Sequence, residues 1–151
     1  MTKRVLIDSN VFIEYMKGNP KALEVLSSLL SEDYELFINA IVYSEVVFLF
    51  VSRTTGLSAL SLKKKPQVVR DSGVDKVVAF LSQFKVAEIN DVVLETASEI
   101  IKRHGLLPND AIILATAKVY GMVLATLDSD FEIPAKSENV ELYSPKHQSC
   151  P

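Results

Sequence analysis

Short apolar segments alternate with longer helical patterns along this chain, and that alternation limits the fold more than any other feature. Val5-Leu6-Ile7, Leu36-Phe37-Ile38 and Met122 to Ala125 are apolar runs without polar alternation, which is typical of strands buried on both faces. Amphipathic helical patterns separate them. We therefore predict the α/β class, with a parallel sheet covered by helices on both faces.

Capping residues and apolar periodicity predict where the remaining elements begin and end. The predicted helices begin after Asp8 and run from about Pro20 to Leu30, from Asn39 to about Arg53, from Val74 to Phe84, from Asp91 to His104, and from Asn109 or Asp110 to Tyr120. Lys85 to Ile89 is predicted as a strand, and Val140-Glu141-Leu142 as a short last strand.

The chain length predicts one domain. Its 151 residues, 48% of them hydrophobic, are enough for one core and too few for two of ordinary size. We assign residues 1–151 to one domain, with a variable helical or loop segment at about 54–73. Short helices are expected there, around a break at Pro66.

Charge and cysteine content limit partners and compartment. With 16 basic and 19 acidic residues the net charge is -3, so any nucleic acid would need a local basic patch. The single cysteine, Cys150, excludes a disulfide framework. The apolar run that ends at Asp8 is too short for a signal peptide, and no apolar stretch is long enough to span a bilayer. These features predict a cytoplasmic protein without membrane contact.

Four acidic residues recur at ends of elements or on apolar helix faces. In open α/β sheets, functional groups gather beyond the carboxyl ends of the strands, where Asp8 and Asp128 are expected. Glu45 lies on a helix whose neighbouring turns carry apolar residues, and Asp110 opens a helix with an apolar face. A lone ionised carboxylate on a buried face is costly unless it is paired or bound to a cation.

A shared divalent cation would make such a cluster tolerable. Carboxylates about 4 Å apart repel by roughly 4 kcal/mol per pair at an effective dielectric of about 20. Oxygen ligands without histidine or cysteine favour Mg²⁺ or Mn²⁺, as one ion or two, and such an ion can activate water against a phosphodiester. Taken singly, Asp8, Asp110 and Asp128 also fit simple helix capping or turn chemistry.

The segments that carry these acids resemble the PIN-domain family of nucleases, and most closely its VapC-type toxins. The resemblance rests on four segments: Val5 to Val11, Tyr43-Ser44-Glu45-Val46, Leu107 to Ala117, and Ala125 to Phe131. It implies a three-layer α/β/α sandwich around a parallel five-stranded sheet. The polar segment from Thr54 to Gly73 departs from the compact toxin members.

The resemblance also implies roles for particular residues. A site for Mg²⁺ or Mn²⁺ that cleaves RNA would be formed by Asp8, Glu45, Asp110 and Asp128. The supporting residues would be Asn10, Thr126 and Asp130. A small antitoxin would be the partner, with a helix in an apolar groove. The apolar run from Val46 to Val51 is expected to be mainly core, although it would also suit a homodimer.

A basic cluster offers one candidate RNA contact. It consists of Lys63, Lys64, Lys65 and Arg70, which would hold the phosphate backbone. A solvated loop is the simpler interpretation, because charge runs in loops are common without a partner.

Other functions stay open at the level of sequence. Within the family these are a stand-alone nuclease in RNA processing and a non-catalytic binding protein with weak metal affinity. Outside it, a phosphotransferase of the haloacid-dehalogenase type requires a second aspartate where Asn10 stands. A receiver domain requires an acidic pair after the first strand and a lysine near the last, and neither is evident.

Overall fold

The computed structural model describes residues 2–145 as four strands, nine α-helices and one 3₁₀ helix. The strands are β1 (Lys3–Ile7), β2 (Tyr34–Ile38), β3 (Lys85–Val86) and β4 (Val123–Ala125). The helices are α1 (Ser9–Met16), α2 (Pro20–Ser31), α3 (Ala40–Thr55), α4 (Ala59–Lys63), α5 (Pro66–Asp71), α6 (Val74–Leu81), α7 (Asp91–His104), α8 (Pro108–Tyr120), the 3₁₀ helix Ser129–Phe131 and α9 (Glu132–Ser137).

The strands form one parallel sheet in the order β3-β2-β1-β4. Its centre is β1, whose residues Val5, Leu6 and Ile7 have no solvent exposure. An uninterrupted apolar run is required there because both faces of the strand are covered. The prediction of an α/β fold with a parallel sheet is confirmed.

The prediction of five strands is wrong, because the described residues form four. Val140-Glu141-Leu142 does not become a strand, and only an isolated parallel bridge joins Leu142 to Leu124. The amide of Val140 donates to the carbonyl of Ala135 in the turn that ends α9, so little of the segment lies beside β4. Since β4 has only three residues, it offers a short edge for pairing.

The order of the strands reverses at β1. The chain passes from β1 to β2 to β3 in one direction, and α7 and α8 then lead back to β4 on the other side of β1. Because such crossovers are right-handed, the helices before and after β3 should cover opposite faces. The carboxyl ends of β1 and β4 therefore border the crevice in which α/β proteins hold their ligands.

Helix starts follow local capping, with differences from prediction at two helices, and α6 ends at Leu81 rather than at the predicted Phe84. Asn39 caps α3 by accepting a hydrogen bond from the amide of Val42 at 3.0 Å. Asn90, rather than Asp91, caps α7. The first residue of α8 is Pro108, and no side chain caps this helix, so Asp110 lies in its first turn and does not serve as a cap.

The segment between α3 and α6 folds into the two short helices α4 and α5. Pro66 is the first residue of α5, where its missing amide hydrogen costs nothing. Within residues 2–145, no helix is long and apolar enough to cross a membrane.

A buried acid connects the carboxyl end of α9 to α7 and α8. Glu138 is 4% exposed, and its carboxylate lies 2.7 Å from Arg103 Nη2, 2.8 Å from Lys118 Nζ and 2.8 Å from His104 Nε2. Hydrogen bonds from Arg103, Lys118 and His104 lower the pKa of Glu138 to about 2. The cluster therefore stabilises the folded chain wherever Glu138 is ionised.

Replacing Glu138 by Gln should lower the free energy of unfolding by about 3 kcal/mol at pH 7, because it leaves the cations without their counter-ion. The pKa falls from 4.5 to about 2 on folding, so the stabilisation is complete above pH 4.5 and is lost as the pH falls towards 2. Urea unfolding at several pH values from 7 to 2.5 would show the difference in unfolding free energy between the wild type and Glu138→Gln becoming smaller. Glu141→Gln, which breaks an exposed pair with Lys3, is the control and should cost under about 0.5 kcal/mol. A loss from Glu138→Gln no larger than that would contradict the account.

Candidate metal centre

Asp8 lies at the carboxyl end of β1 and is the most buried acid of the candidate site, at 3% exposure. Its amide donates to the carbonyl of Ala125 at 2.9 Å, which ties it to β4. Oδ1 accepts from the amide of Ser9 at 2.7 Å, and Oδ2 accepts from Thr126 Oγ1 at 2.8 Å. Backbone and side chain thus hold this carboxylate in one orientation.

Asn10 and Thr126 connect the loops that follow β1 and β4. Asn10 Nδ2 donates to Thr126 Oγ1 at 3.2 Å, and Asn10 Oδ1 accepts from the amide of Leu127 at 3.1 Å. Thr126 Oγ1 also accepts from the amide of Asp128 at 3.1 Å. These contacts place Thr126 between Asp8 and Asp128, where it orients the first and anchors the backbone of the second.

Glu45 reaches the same crevice from α3. Ser9 Oγ lies 3.0 Å from Glu45 Oε1 and 3.4 Å from Asp8 Oδ1, so one hydroxyl bridges the two carboxylates. From local sequence, a serine after a strand-ending aspartate is expected only to cap a helix. Its link to Glu45 depends on a contact across 36 residues that no local pattern shows.

The surroundings of Glu45 are less apolar than its helical spacing suggested. Glu45 is half-buried, and its buried neighbours on α3 are Val42 and Val46. Ile41 and Leu49, one helical turn away on either side, are only partly covered. Water therefore reaches one side of this carboxylate.

Asp110 lies half-buried in the first turn of α8, and Ala111, Ile113 and Leu114 carry the helix into the core. Burial raises the pKa of Asp110, and the negative charges of Asp128, Glu45 and Asp130 raise it further, in that order. Asp110 thus lies within electrostatic range of acids from two other parts of the chain.

Burial raises the pKa of Asp8 to about 6. The hydrogen bonds from Thr126 and Ser9 oppose this rise, while the charges of Asp110 and Glu45 add to it. Since Asp8 and Asp110 both bind protons more tightly than usual, the crevice stabilises their ionised forms less well than water does.

Asp128 and Asp130 belong to the 3₁₀ turn after β4. Asp128 is half-buried and its Oδ1 accepts from the amide of Asp130 at 2.9 Å, so it caps the turn as well as facing the crevice. Asp130 is exposed. Capping uses only one oxygen of Asp128, which leaves the other for a ligand.

The donor set fits a hard divalent ion better than zinc. The crevice offers carboxylate oxygens with hydroxyl and amide groups behind them, and the one histidine of residues 2–145, His104, is engaged with Glu138. In that part of the chain, no three acidic, histidine or cysteine side chains are as close together as direct ligands of one ion. Mg²⁺ fits such an open arrangement, because it usually binds one or two carboxylates directly and keeps several waters.

The predicted basic cluster lies on another part of the molecule. Lys63, Lys64, Lys65 and Arg70 are all exposed on and between α4 and α5. Lys63 borders an apolar cavity of about 410 Å³ that is also lined by Tyr43 and Ser44, the residues that precede Glu45. His147 and Cys150 lie outside the described residues.

Replacing Asp8 by Asn should stabilise the protein without added divalent ions at pH 7.5 by up to about 3 kcal/mol, since one pKa unit corresponds to about 1.4 kcal/mol. The pKa of Asp8 rises from 3.8 to about 6 on folding, so ionisation costs stability as the pH rises through that interval. Thermal unfolding at pH 7.5 and pH 3 would measure the difference, which should disappear at pH 3, below the pKa of the unfolded chain. A destabilised variant at pH 7.5 would contradict the electrostatic account.

Comparison with known proteins places the chain in a family. A model of the PIN domain matches residues 5–136. The chain is 39% identical over 140 residues to Ribonuclease VapC6 of Methanocaldococcus jannaschii (85% of this chain, 90% of that protein). It is 32% identical over 130 residues to Ribonuclease VapC2 of the same organism (85% and 87%). The fold is similar to a chain of DNA-bound VapBC from Salmonella typhimurium (TM-score 0.66, 20% identity, 95% and 98% covered). Because the family model and both relatives span most of its length, this chain belongs to the PIN-domain family, as its motifs predicted.

Proposed function

We propose that the protein is an endoribonuclease of the VapC type that depends on Mg²⁺ or Mn²⁺. The observation that carries the proposal is that carboxylates from four parts of the chain converge on one crevice, where burial and then their mutual charges raise the pKa of Asp8 and Asp110. The two relatives named as ribonucleases support RNA as the substrate. Family membership removes the phosphotransferase and receiver alternatives.

Asp8, Glu45, Asp110 and Asp128 would hold the ion or ions, directly or through water. When bound, a divalent ion would lower the pKa of a water molecule and offset charge on the phosphate. Asp8 is the fixed member, because Thr126 and Ser9 hold both of its oxygens. Partly exposed Glu45 and Asp110 can adjust to the ion.

Supporting residues would keep this set in place. Asn10 and Thr126 hold the two loops together, so the strand ends that carry Asp8 and Asp128 cannot separate. Ser9 donates its one hydroxyl hydrogen between Asp8 and Glu45 and so reduces their repulsion. Exposed Asp130 would act at longer range, through its charge on Asp110.

RNA would enter over the half-buried acids. Lys63 is the member of the basic cluster best placed to contact its backbone, because the cavity beside it also contacts Ser44. We further propose that residues 1–151 act as one domain in the cytoplasm.

A small antitoxin and a second copy of the chain are the proposed protein partners. An apolar cavity of about 280 Å³ lies between α1, α3 and α6, lined by Phe12, Met16, Phe50 and Phe80 among others, with Lys76 at its margin. Tyr15 and Met16 are exposed beside it, at 42% and 39%, as suits a surface that a partner helix covers. A stand-alone RNA-processing enzyme would leave this surface uncovered.

Replacing Asp8 or Asp110 by Asn should reduce RNA cleavage at least about 100-fold, because each change removes a charge that holds the ion. Asp71→Asn is the matched control, since Asp71 lies exposed at the end of α5 and contacts only Gln67 on its own helix. Cleavage of a fluorescent RNA with and without Mn²⁺ would measure the effect.

Calorimetric titration with Mn²⁺ separates this proposal from a non-catalytic binding protein. The wild type and Asp71→Asn should bind Mn²⁺ alike, and Asp8→Asn and Asp110→Asn should bind it at least tenfold more weakly. Wild-type cleavage rates in the two site variants, or activity that survives chelation of divalent ions, would refute the proposed function.

A further inference from the structure

Two polar side chains without solvent exposure connect the start of α3 to the middle of α8. Asn39 Nδ2 donates to Thr116 Oγ1 at 3.0 Å, across 77 residues of sequence. Asn39 Oδ1 accepts from the amide of Val42, and Thr116 Oγ1 donates to the carbonyl of Ile112 at 2.7 Å. Both side chains are thus fully engaged in the core, with no contact to water.

Helix capping alone does not account for an asparagine at this position. A cap requires only an acceptor oxygen, which serine, threonine or aspartate would supply equally well. The amide of Asn39 adds a donor, and that donor is used on α8. A pair of apolar residues of similar shape would keep the core about as stable. What the polar pair adds is a hydrogen bond that forms only in one relative position of the two helices.

The pair lies at the same sequence distance from two acids of the metal centre. Glu45 follows Asn39 by six residues on α3, and Asp110 precedes Thr116 by six residues on α8. Six residues of helix rise about 9 Å. α3 and α8 are in direct contact in the fold, so a change at the buried pair would alter how α3 is placed against α8.

We infer that Asn39 and Thr116 are positioning residues, whose hydrogen bond fixes the register in which α3 presents Glu45 to Asp110. The inference rests on the proposed metal site. A slip of α3 by one residue would move Glu45 about 1.5 Å along the helix axis and turn it about 100°. The apolar neighbours Val42 and Val46 resist such a slip only through shape, whereas the hydrogen bond has a single partner.

Thr116→Val tests this role, because it keeps the shape of the side chain and removes the hydroxyl. Mn²⁺ affinity, measured from the paramagnetic resonance of the free ion, should weaken by about tenfold or more, as on loss of a group that orients metal ligands. Thr116→Ser keeps the hydroxyl and should bind within about twofold of the wild type. Asn39→Ser keeps the cap but not the link, and should weaken binding as Thr116→Val does.

A double variant and a stability control separate positioning from general destabilisation. Because Asn39 and Thr116 act through one bond, Asn39→Ser combined with Thr116→Val should weaken binding no further than either change alone. Leu29→Ala creates a cavity under α2, a helix that carries none of the proposed site residues, and should lower the melting temperature without changing Mn²⁺ affinity. All measurements belong at least about 20 °C below the lowest melting temperature, where every variant is folded.

The possible results test the positioning role of Asn39 and Thr116 separately from the proposed function. Wild-type Mn²⁺ affinity in folded Thr116→Val and Asn39→Ser, while Asp110→Asn loses binding, would overturn the positioning role and leave the proposed function standing. Equal weakening in Leu29→Ala would also overturn the role, since stability alone would then explain the loss. A wild type without measurable Mn²⁺ binding would overturn the proposed function and the positioning role together.

Discussion

The cost of burying carboxylates close to one another at the carboxyl ends of β1 and β4 is the constraint around which this molecule is organised. Asp8 is almost completely buried, and burial, with a smaller contribution from the charges of Asp110 and Glu45, raises its pKa to about 6. The pKa of Asp110 is also raised by burial, and by the charges of three other acids. A fold that brings such groups together loses stability near neutral pH, so the arrangement makes physical sense when a cation offsets the charge.

The rest of the structure limits how far these acids can move apart. The backbone of Asp8 joins the ladder to β4, Ser9 and Thr126 hold its side chain, and Asn10 ties the two strand-end loops together. Outside the candidate site, Glu138 pairs with three basic side chains of α7 and α8 and so holds in place the helices that lead to β4. The helix α8 thus carries both Lys118, which pairs with Glu138, and Asp110, which lies near other acids.

Much of this arrangement could be predicted from the sequence, because it depends on local patterns. Apolar runs marked β1, β2 and β4, capping residues marked most helix starts, and the acids stood at ends of elements where parallel sheets place functional groups. What could not be predicted depends on distant contacts: the bridge from Ser9 to Glu45, the convergence on Glu138, and the link from Asn39 to Thr116. The prediction of a fifth strand was wrong for a related reason. Pairing at the edge of the sheet depends on where the turn after α9 places the chain relative to β4.

The ionisation of Asp8 tests the central claim most directly, because this carboxylate is the most buried of the set. Carbon-detected magnetic resonance of the carboxyl groups can follow its titration with and without Mg²⁺. The account predicts a pKa of about 6 without the ion and a clear fall when Mg²⁺ is present, because a cation favours the charged form. A titration curve for Asp8 that is unchanged by saturating Mg²⁺ would contradict a shared ion at this site.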